Sequence, residues 1–297
     1  MDPSLYALAL ILYYISFGFR GLRWKVLAHN AGKQDGTNTH LPSAVTFAQL
    51  IVIGWFVNAV AWLRLGDAYR AYVLAEKSRS DFSWSLGTVL AERITDMVTV
   101  LVLIIAAAFT FSAASDSGGS EHIVLAAFAM SAALVVLLAA MKGFGERVAR
   151  FLPDRLARAY GRFHVGALGS LQQLPVVFLL SLVGWMLEAA RLYFVVLALD
   201  LSITLPLVLV VALGHAILST VPTPGGVGAV EPGVTGLLML GLERHDAVSI
   251  ALVDRSITYL SVIAIGGLVF LLWQLRRSRS GTSITETQKK PRQDDHR

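Results

Sequence analysis

Apolar runs separated by short polar stretches set the grain of this chain. Five are long: residues 4–19, 97–114, 123–141, 174–199 and 256–275. Only 174–199 contains charged side chains, Glu188 and Arg191. About 20 apolar residues cross the hydrocarbon core of a bilayer as a helix. The pattern therefore predicts an all-α polytopic membrane protein with about five full crossings. The first run is short, and tilt, local thinning or Tyr6, Tyr13 and Tyr14 at the interface would accommodate it.

Two further apolar stretches do not fit single crossings. Residues 44–63 lie between Arg20, Arg23, Lys25 and Lys33 on one side and Arg64, Arg70, Lys77 and Arg79 on the other. Lys and Arg mark cytoplasmic flanks, so this stretch is expected to enter and leave on one side as a re-entrant helical hairpin. Residues 205–220 and 234–242 flank a break. In it Pro222 and Pro224 fix φ and lack N–H donors, while Gly225, Gly226 and Gly228 open backbone angles closed to other residues. Such a break persists at membrane depth only where protein or a wet cavity satisfies the freed backbone groups. A second re-entrant hairpin, entering from the opposite side, is expected here, with Glu231 just beyond the break.

Charge completes the topology. Residues 115–121 carry two acids and no Lys or Arg, and 200–204 carry no basic residue, so both are placed outside. Lys142, Arg147, Arg150, Arg155, Arg158 and Arg162 mark a cytoplasmic linker. It reads as an interfacial amphipathic helix with Phe144, Val148, Phe151 and Leu152 as its apolar side. Residues 1–275 then form one transmembrane domain, N-terminus outside, and 276–297 a polar, basic, irregular cytoplasmic tail. Spacing also repeats. Gly66 and Arg93 stand 27 positions apart, as do Gly228 and Arg255. In each half a helix breaker precedes an acid–Arg pair, Glu92-Arg93 or Asp254-Arg255, that opens a span. The two pairs fall at opposite ends of their spans, which makes an inverted repeat, an arrangement common in transporters.

Composition agrees: 55% apolar and 15% charged residues with mean hydropathy +0.64 describe a polytopic membrane protein. The net charge of +5 sits in loops and tail, so nucleic acid is not an expected partner. There is no cysteine, which excludes disulfides, thiolate metal sites and cysteine nucleophiles. Seven histidines show no close pair at metal-ligand spacing, so neither a metal nor a cofactor is expected. The Gly-rich run lacks the Lys-Ser/Thr that follows a nucleotide loop.

The candidate chemistry is buried charge, which costs at least about 2.5–3.5 kcal/mol at a helix centre. Asp67 and Arg70, Glu92 and Asp96, Arg93 and Asp96, and Arg255 and Tyr259 each share a helix face. For these, an ion pair steadying a helix entrance and a cation presented to an anionic headgroup both remain open. Glu188 and Arg191, three apart, read chiefly as mutual neutralisation. Glu231 has no basic neighbour in sequence, so it is exposed to water, protonated or paired with a distant arginine such as Arg93 or Arg255, and pairing is the favoured expectation.

These residues resemble the lysylphosphatidylglycerol synthase transmembrane, or flippase-like, family. Three blocks carry the likeness: Asn58 with Arg64-x-Gly66-Asp67-x-x-Arg70; Glu92-Arg93-x-x-Asp96; and Pro222-Thr223-Pro224-Gly225-Gly226-Val227-Gly228-x-x-Glu231 with Arg255 and Tyr259 downstream. Family members often show proline where Trp62 stands and glutamate where Asp67 stands. The resemblance implies a role in moving or handling lipids and no enzymatic activity of its own. The cytosolic aminoacyl-transferring domain of the lipid-modifying relatives is not expected after residue 275. The leading expectation is a translocase of an anionic (glyco)phospholipid in a prokaryotic plasma membrane. Arg64, Arg70, Arg93 and Arg255 would contact the headgroup; Asp67, Glu92, Asp96, Glu231 and Asp254 would pair with those arginines in its absence. The alternative is a non-transporting subunit that presents lipid to a separate lipid or glycan enzyme. A homodimer or a partner enzyme is compatible with either.

Overall fold

The computed structural model describes residues 1–34, 40–114 and 153–288. Among these there is no strand. The helices are α1 (Pro3–Gln34), α2 (Ala44–Val60), α3 (Leu65–Ser78), α4 (Phe82–Ala114), α5 (Asp154–Ser170), α6 (Leu174–Ala198), α7 (Leu205–Leu218), α8 (Val230–Leu238), α9 (Arg244–Arg255) and α10 (Gly267–Gln288). A π-helical segment, Ser256–Gly266, joins α9 to α10 without a break in helical backbone angles. Among the described residues, three helices are long and apolar enough to cross a membrane: Pro3–Gln34, Leu174–Ala198 and Arg244–Ser278.

α1 and α6 lie side by side and antiparallel, forming the scaffold for the rest. At one end the Asp2 N–H donates to the Ala198 carbonyl at 2.7 Å. At the other, Asn30 Nδ2 donates to the carbonyls of Ser170 at 3.3 Å and Gln172 at 2.7 Å. Neither helix contains a proline beyond its first turn, so nothing in their backbones interrupts the ladder.

Two helix pairs pack on this scaffold from opposite ends. α2 climbs α1 towards its start: Phe47 meets Trp24 at 4.9 Å between ring centroids, and Trp55 meets Phe17 at 5.3 Å. α3 then returns, bringing Arg70 over Trp24 at 4.7 Å. The pair is tight because both helices use glycine at the crossing. A Cβ on Gly66 would overlap the Gly54 carbonyl, and the Gly66 N–H instead reaches Asn58 Oδ1 at 2.8 Å. The second pair, α7 and α8, starts at the other end of the scaffold, just after Ala198. Gly214 faces Leu237, Gly233 faces Leu218 and Gly241 faces Leu207.

The tips of the two pairs touch. The Leu63 N–H donates to the Pro222 carbonyl at 3.3 Å, and Arg64 Nη1 to the Ser219 carbonyl at 2.9 Å. The final helix spans the whole arrangement, from α8 at Arg244 to α3, where Gln274 meets Tyr69 and Arg277 meets Glu76 at 2.6 Å.

Several boundaries differ from the sequence expectation. The first helix is 32 residues long, not a short run ending at residue 19, so no shortness has to be accommodated. Tyr6, Tyr13 and Tyr14 face the π-helical segment, bonding to Ser256, the Thr258 carbonyl and Ser261. Glu92 and Asp254 do not open their helices. α4 begins at Phe82 and the last helix at Arg244, so Arg93 and Arg255 each sit eleven residues in. Charged residues mark helix entrances where they meet water, but inside a bundle that pairs them they do not end a helix. Helix also continues through 276–288, expected to be irregular. The run 123–141, the loop 115–121 and the apolar side Phe144, Val148, Phe151 and Leu152 lie outside the described residues.

Candidate functional site

The interior holds an alternating series of ions. Asp67 accepts from Arg93 at 2.7 Å and lies 3.2 Å from Arg70 and 3.4 Å from Arg64. Arg70 continues to Glu92 at 2.6 Å, and Glu92 lies 3.4 Å from Arg23. Arg23 grips Asp96 with both terminal nitrogens, at 2.6 and 2.9 Å. Arg20 lies 4.0 Å from Asp96 and donates to Glu188 at 3.1 Å. Arg191 joins Glu188, at 3.1 Å, to Asp254, whose other oxygen is 3.2 Å from His215 Nδ1. Aromatic faces cover several of the cations: Arg20 lies over Trp55 and Trp185, and Arg191 over Tyr13.

Burial grades along this series. The side chains of Arg23, Arg70 and Asp254 are each 1% exposed. Such ions survive away from water because every one has a counter-ion; an unpaired buried charge costs several kcal/mol. At the tip of the first helix pair the series opens: Arg64 is 28%, Arg93 23% and Asp67 18% exposed. Leu63 and Arg64 hold left-handed backbone angles, φ 58 and 53, and this turn swings Arg64 towards the second pair.

A second, separate cluster lies at the other tip. Arg255 Nε meets Glu231 Oε1 at 2.8 Å, Arg255 Nη2 donates to the Gly225 carbonyl at 3.1 Å, and the guanidinium lies over Tyr259 at 4.6 Å. Gly225 has φ 58, and any Cβ there would strike the Tyr259 ring. Only glycine fits that position. Gly226 and Gly228 also have positive φ, while Pro222 supplies the carbonyl that meets Leu63 and Pro224 begins a single 3₁₀ turn. The break thus spends its freed carbonyls on Leu63, Arg64 and Arg255.

The predicted site residues therefore divide. Arg64, Asp67 and Arg93 meet at the partly exposed end of the ion series, and Glu231, Arg255 and Tyr259 in the separate cluster at the second tip. Arg70, Glu92 and Asp96 lie in the closed part of the series, and Asp254 faces Arg191 and His215 rather than its neighbour Arg255. Glu231 does pair with Arg255, one of the two partners expected for it. Sequence reasoning missed Arg20 and Arg23 as interior ions and gave His215 no charged partner. Glu188 and Arg191 do contact each other, yet each also reaches a second ion on another helix.

Opposed helix pairs, spans of sufficient length and ions paired in an apolar shell define a polytopic helical membrane protein. The chain belongs to the family of the lysylphosphatidylglycerol synthase transmembrane region, which it matches over residues 1–266. A UPF0104 membrane protein of Methanocaldococcus jannaschii is 26% identical over 220 residues, 73% of this chain and 94% of that one. Another, of Pyrococcus horikoshii, is 24% identical over 301 residues, 91% of this chain and 87% of that one. The glycosyltransferase AglD of Haloferax volcanii is 26% identical over 314 residues, 91% of this chain but 49% of that protein.

Proposed function

We propose that this protein translocates an anionic (glyco)phospholipid headgroup between the leaflets of a prokaryotic plasma membrane and performs no covalent chemistry on it. In this reading α2–α3 and α7–α8 are re-entrant hairpins entering from opposite sides, the last helix ends in the cytoplasm, and full crossings number about five. The observation that carries it is the tip contact, flanked by arginines on both sides: the partly exposed Arg64 and Arg93 at one end, and at the other the buried Arg255, paired with the partly exposed Glu231. Geometry supports a tip at mid-depth. From Ala48, against Gly21, α2 rises through a further twelve residues to Val60, about 18 Å at 1.5 Å each. That is over half of a hydrocarbon core of about 30 Å. Arginine forks suit phosphate oxygens, and the acyl chains would stay in hydrocarbon while the headgroup passes, avoiding most of the cost of its desolvation.

The direct test is purified protein in liposomes, with transfer of headgroup-labelled phospholipids between leaflets followed for several headgroups. Arg93→Ala and Arg255→Ala should each abolish transfer without lowering the amount of folded protein. Full rates in both would remove the headgroup assignment. A chemically altered lipid in the same sample would make the protein an enzyme. The second reading, a lipid-presenting subunit for a separate glycan enzyme, is favoured by the match to about half of a glycosyltransferase. It predicts no transfer by the protein alone with any lipid tried.

A further inference from the structure

Glu231 is held as a bound anion would be. Oε1 lies 2.8 Å from Arg255 Nε, and Oε2 accepts the Gly228 N–H at 2.8 Å. The receiving groups are fixed independently of it. Arg255 is anchored by the Gly225 carbonyl and the Tyr259 ring, and its side chain is only 10% exposed. Gly228 is set by its left-handed φ of 85, with open space where a Cβ would stand. Glu231, by contrast, is 33% exposed. Two oxygens of one carboxylate thus bridge a guanidinium and a backbone N–H, the donor pattern that binds two oxygens of a phosphoryl group.

The two clusters at the tips also differ in charge. The interior series sets Arg20, Arg23, Arg64, Arg70, Arg93 and Arg191 against Asp67, Glu92, Asp96, Glu188 and Asp254, leaving one positive charge over among these residues. Its exposed members lie at the Asp67 end, where an anion is attracted. The Arg255 end is neutral because Glu231 fills it.

We infer that Arg255 and the Gly228 N–H form a phosphoryl-binding seat that Glu231 occupies as an internal surrogate, and that the phosphate of a lipid binds there by displacing the Glu231 side chain. This deepens the headgroup reading above and rests on it, but binding is measured without transport, so the two fail separately. A protein that binds and does not transfer lipid keeps the seat and loses the translocase.

The test is titration of the detergent-solubilised protein with short-chain phosphatidic acid and, separately, with inorganic phosphate. Glu231→Gln removes the competing charge at nearly constant size and should bind phosphatidic acid at least tenfold more tightly than the unsubstituted chain. Adding Arg255→Gln to that variant should abolish the gain. Glu231→Asp keeps the charge one methylene further from the seat and should tighten binding by a smaller factor, which guards against a poorly folded Gln variant. Tightening for inorganic phosphate but not phosphatidic acid would assign the seat to free phosphate and overturn the lipid assignment. Unchanged or weaker binding in folded Glu231→Gln and Glu231→Asp would make Glu231 a clamp for the break and end the proposal.

Discussion

Arg23 is the side chain the interior has least freedom to lose. It is 1% exposed and binds Asp96 through two nitrogens while lying 3.4 Å from Glu92. Removing it leaves carboxylates on α4 short of a partner where water does not reach, a situation that costs about 3–5 kcal/mol. Arg23→Ala should therefore lower the thermal unfolding midpoint in detergent sharply, or prevent recovery of monodisperse protein. Arg23→Lys should recover little of the loss, since one ammonium cannot reproduce a fork across two nitrogens. Arg93→Ala should leave the midpoint near that of the unsubstituted chain, because Arg93 is partly open and Asp67 keeps Arg64 and Arg70. Equal losses in Arg23→Ala and Arg93→Ala would erase the distinction between closed series and open end. None of this was legible for Arg23. A basic residue after an apolar run reads as a topology signal, and only the uninterrupted course of α1 puts it inside. Glu231 was legible in part because it lacks any local cation, which leaves water, protonation or a distant arginine; it is in fact both paired with Arg255 and partly exposed.

At the scale of elements, glycine decides how closely the helices of each pair approach. Gly66 sits against the Gly54 carbonyl, backbone to backbone, so an added methyl has no flexible side chain to push aside. Gly66→Ala should part α2 from α3, break the Asn58 contact and displace the tip that holds Arg64. The expected result is a clearly lower unfolding midpoint and loss of any lipid transfer. Gly161→Ala is the matched control: it lies within α5 with nothing near the added carbon. It should raise the midpoint slightly, as helix propensity alone favours Ala over Gly by about 1 kcal/mol. The Pro-Gly break between α7 and α8 was readable because Pro and Gly act on their own backbone. The starts of α4 and of the last helix were not. Apolar runs locate the uncharged part of a helix, and Phe82 and Arg244 begin their helices about four and three turns before those runs. Arg93 and Arg255 nonetheless stand at the same position in their helices, each eleven residues from the start.

For the whole molecule, the arrangement reduces to which ends of the helix pairs share a side. The outer ends of α2 and α3 lie near Trp24 and Arg277, while those of α7 and α8 lie near Asp2 and Arg244. If the α1–α6 scaffold crosses the bilayer, these two sets of ends must face opposite compartments, and each pair must return to the side it came from. The absence of cysteine makes this directly measurable, because a single introduced thiol has no background. Ser43→Cys and Arg79→Cys, exposed at the two ends of α2–α3, should both react with a membrane-impermeant maleimide only after the cytoplasmic side is opened. Ser202→Cys and His245→Cys, exposed at the two ends of α7–α8, should both react in intact cells. If the two thiols of either pair label from different sides, that pair is an ordinary double-length crossing. The midplane position proposed for the opposed tips would then fall, and with it the reason for reading Arg64, Arg93 and Arg255 as headgroup contacts on one path.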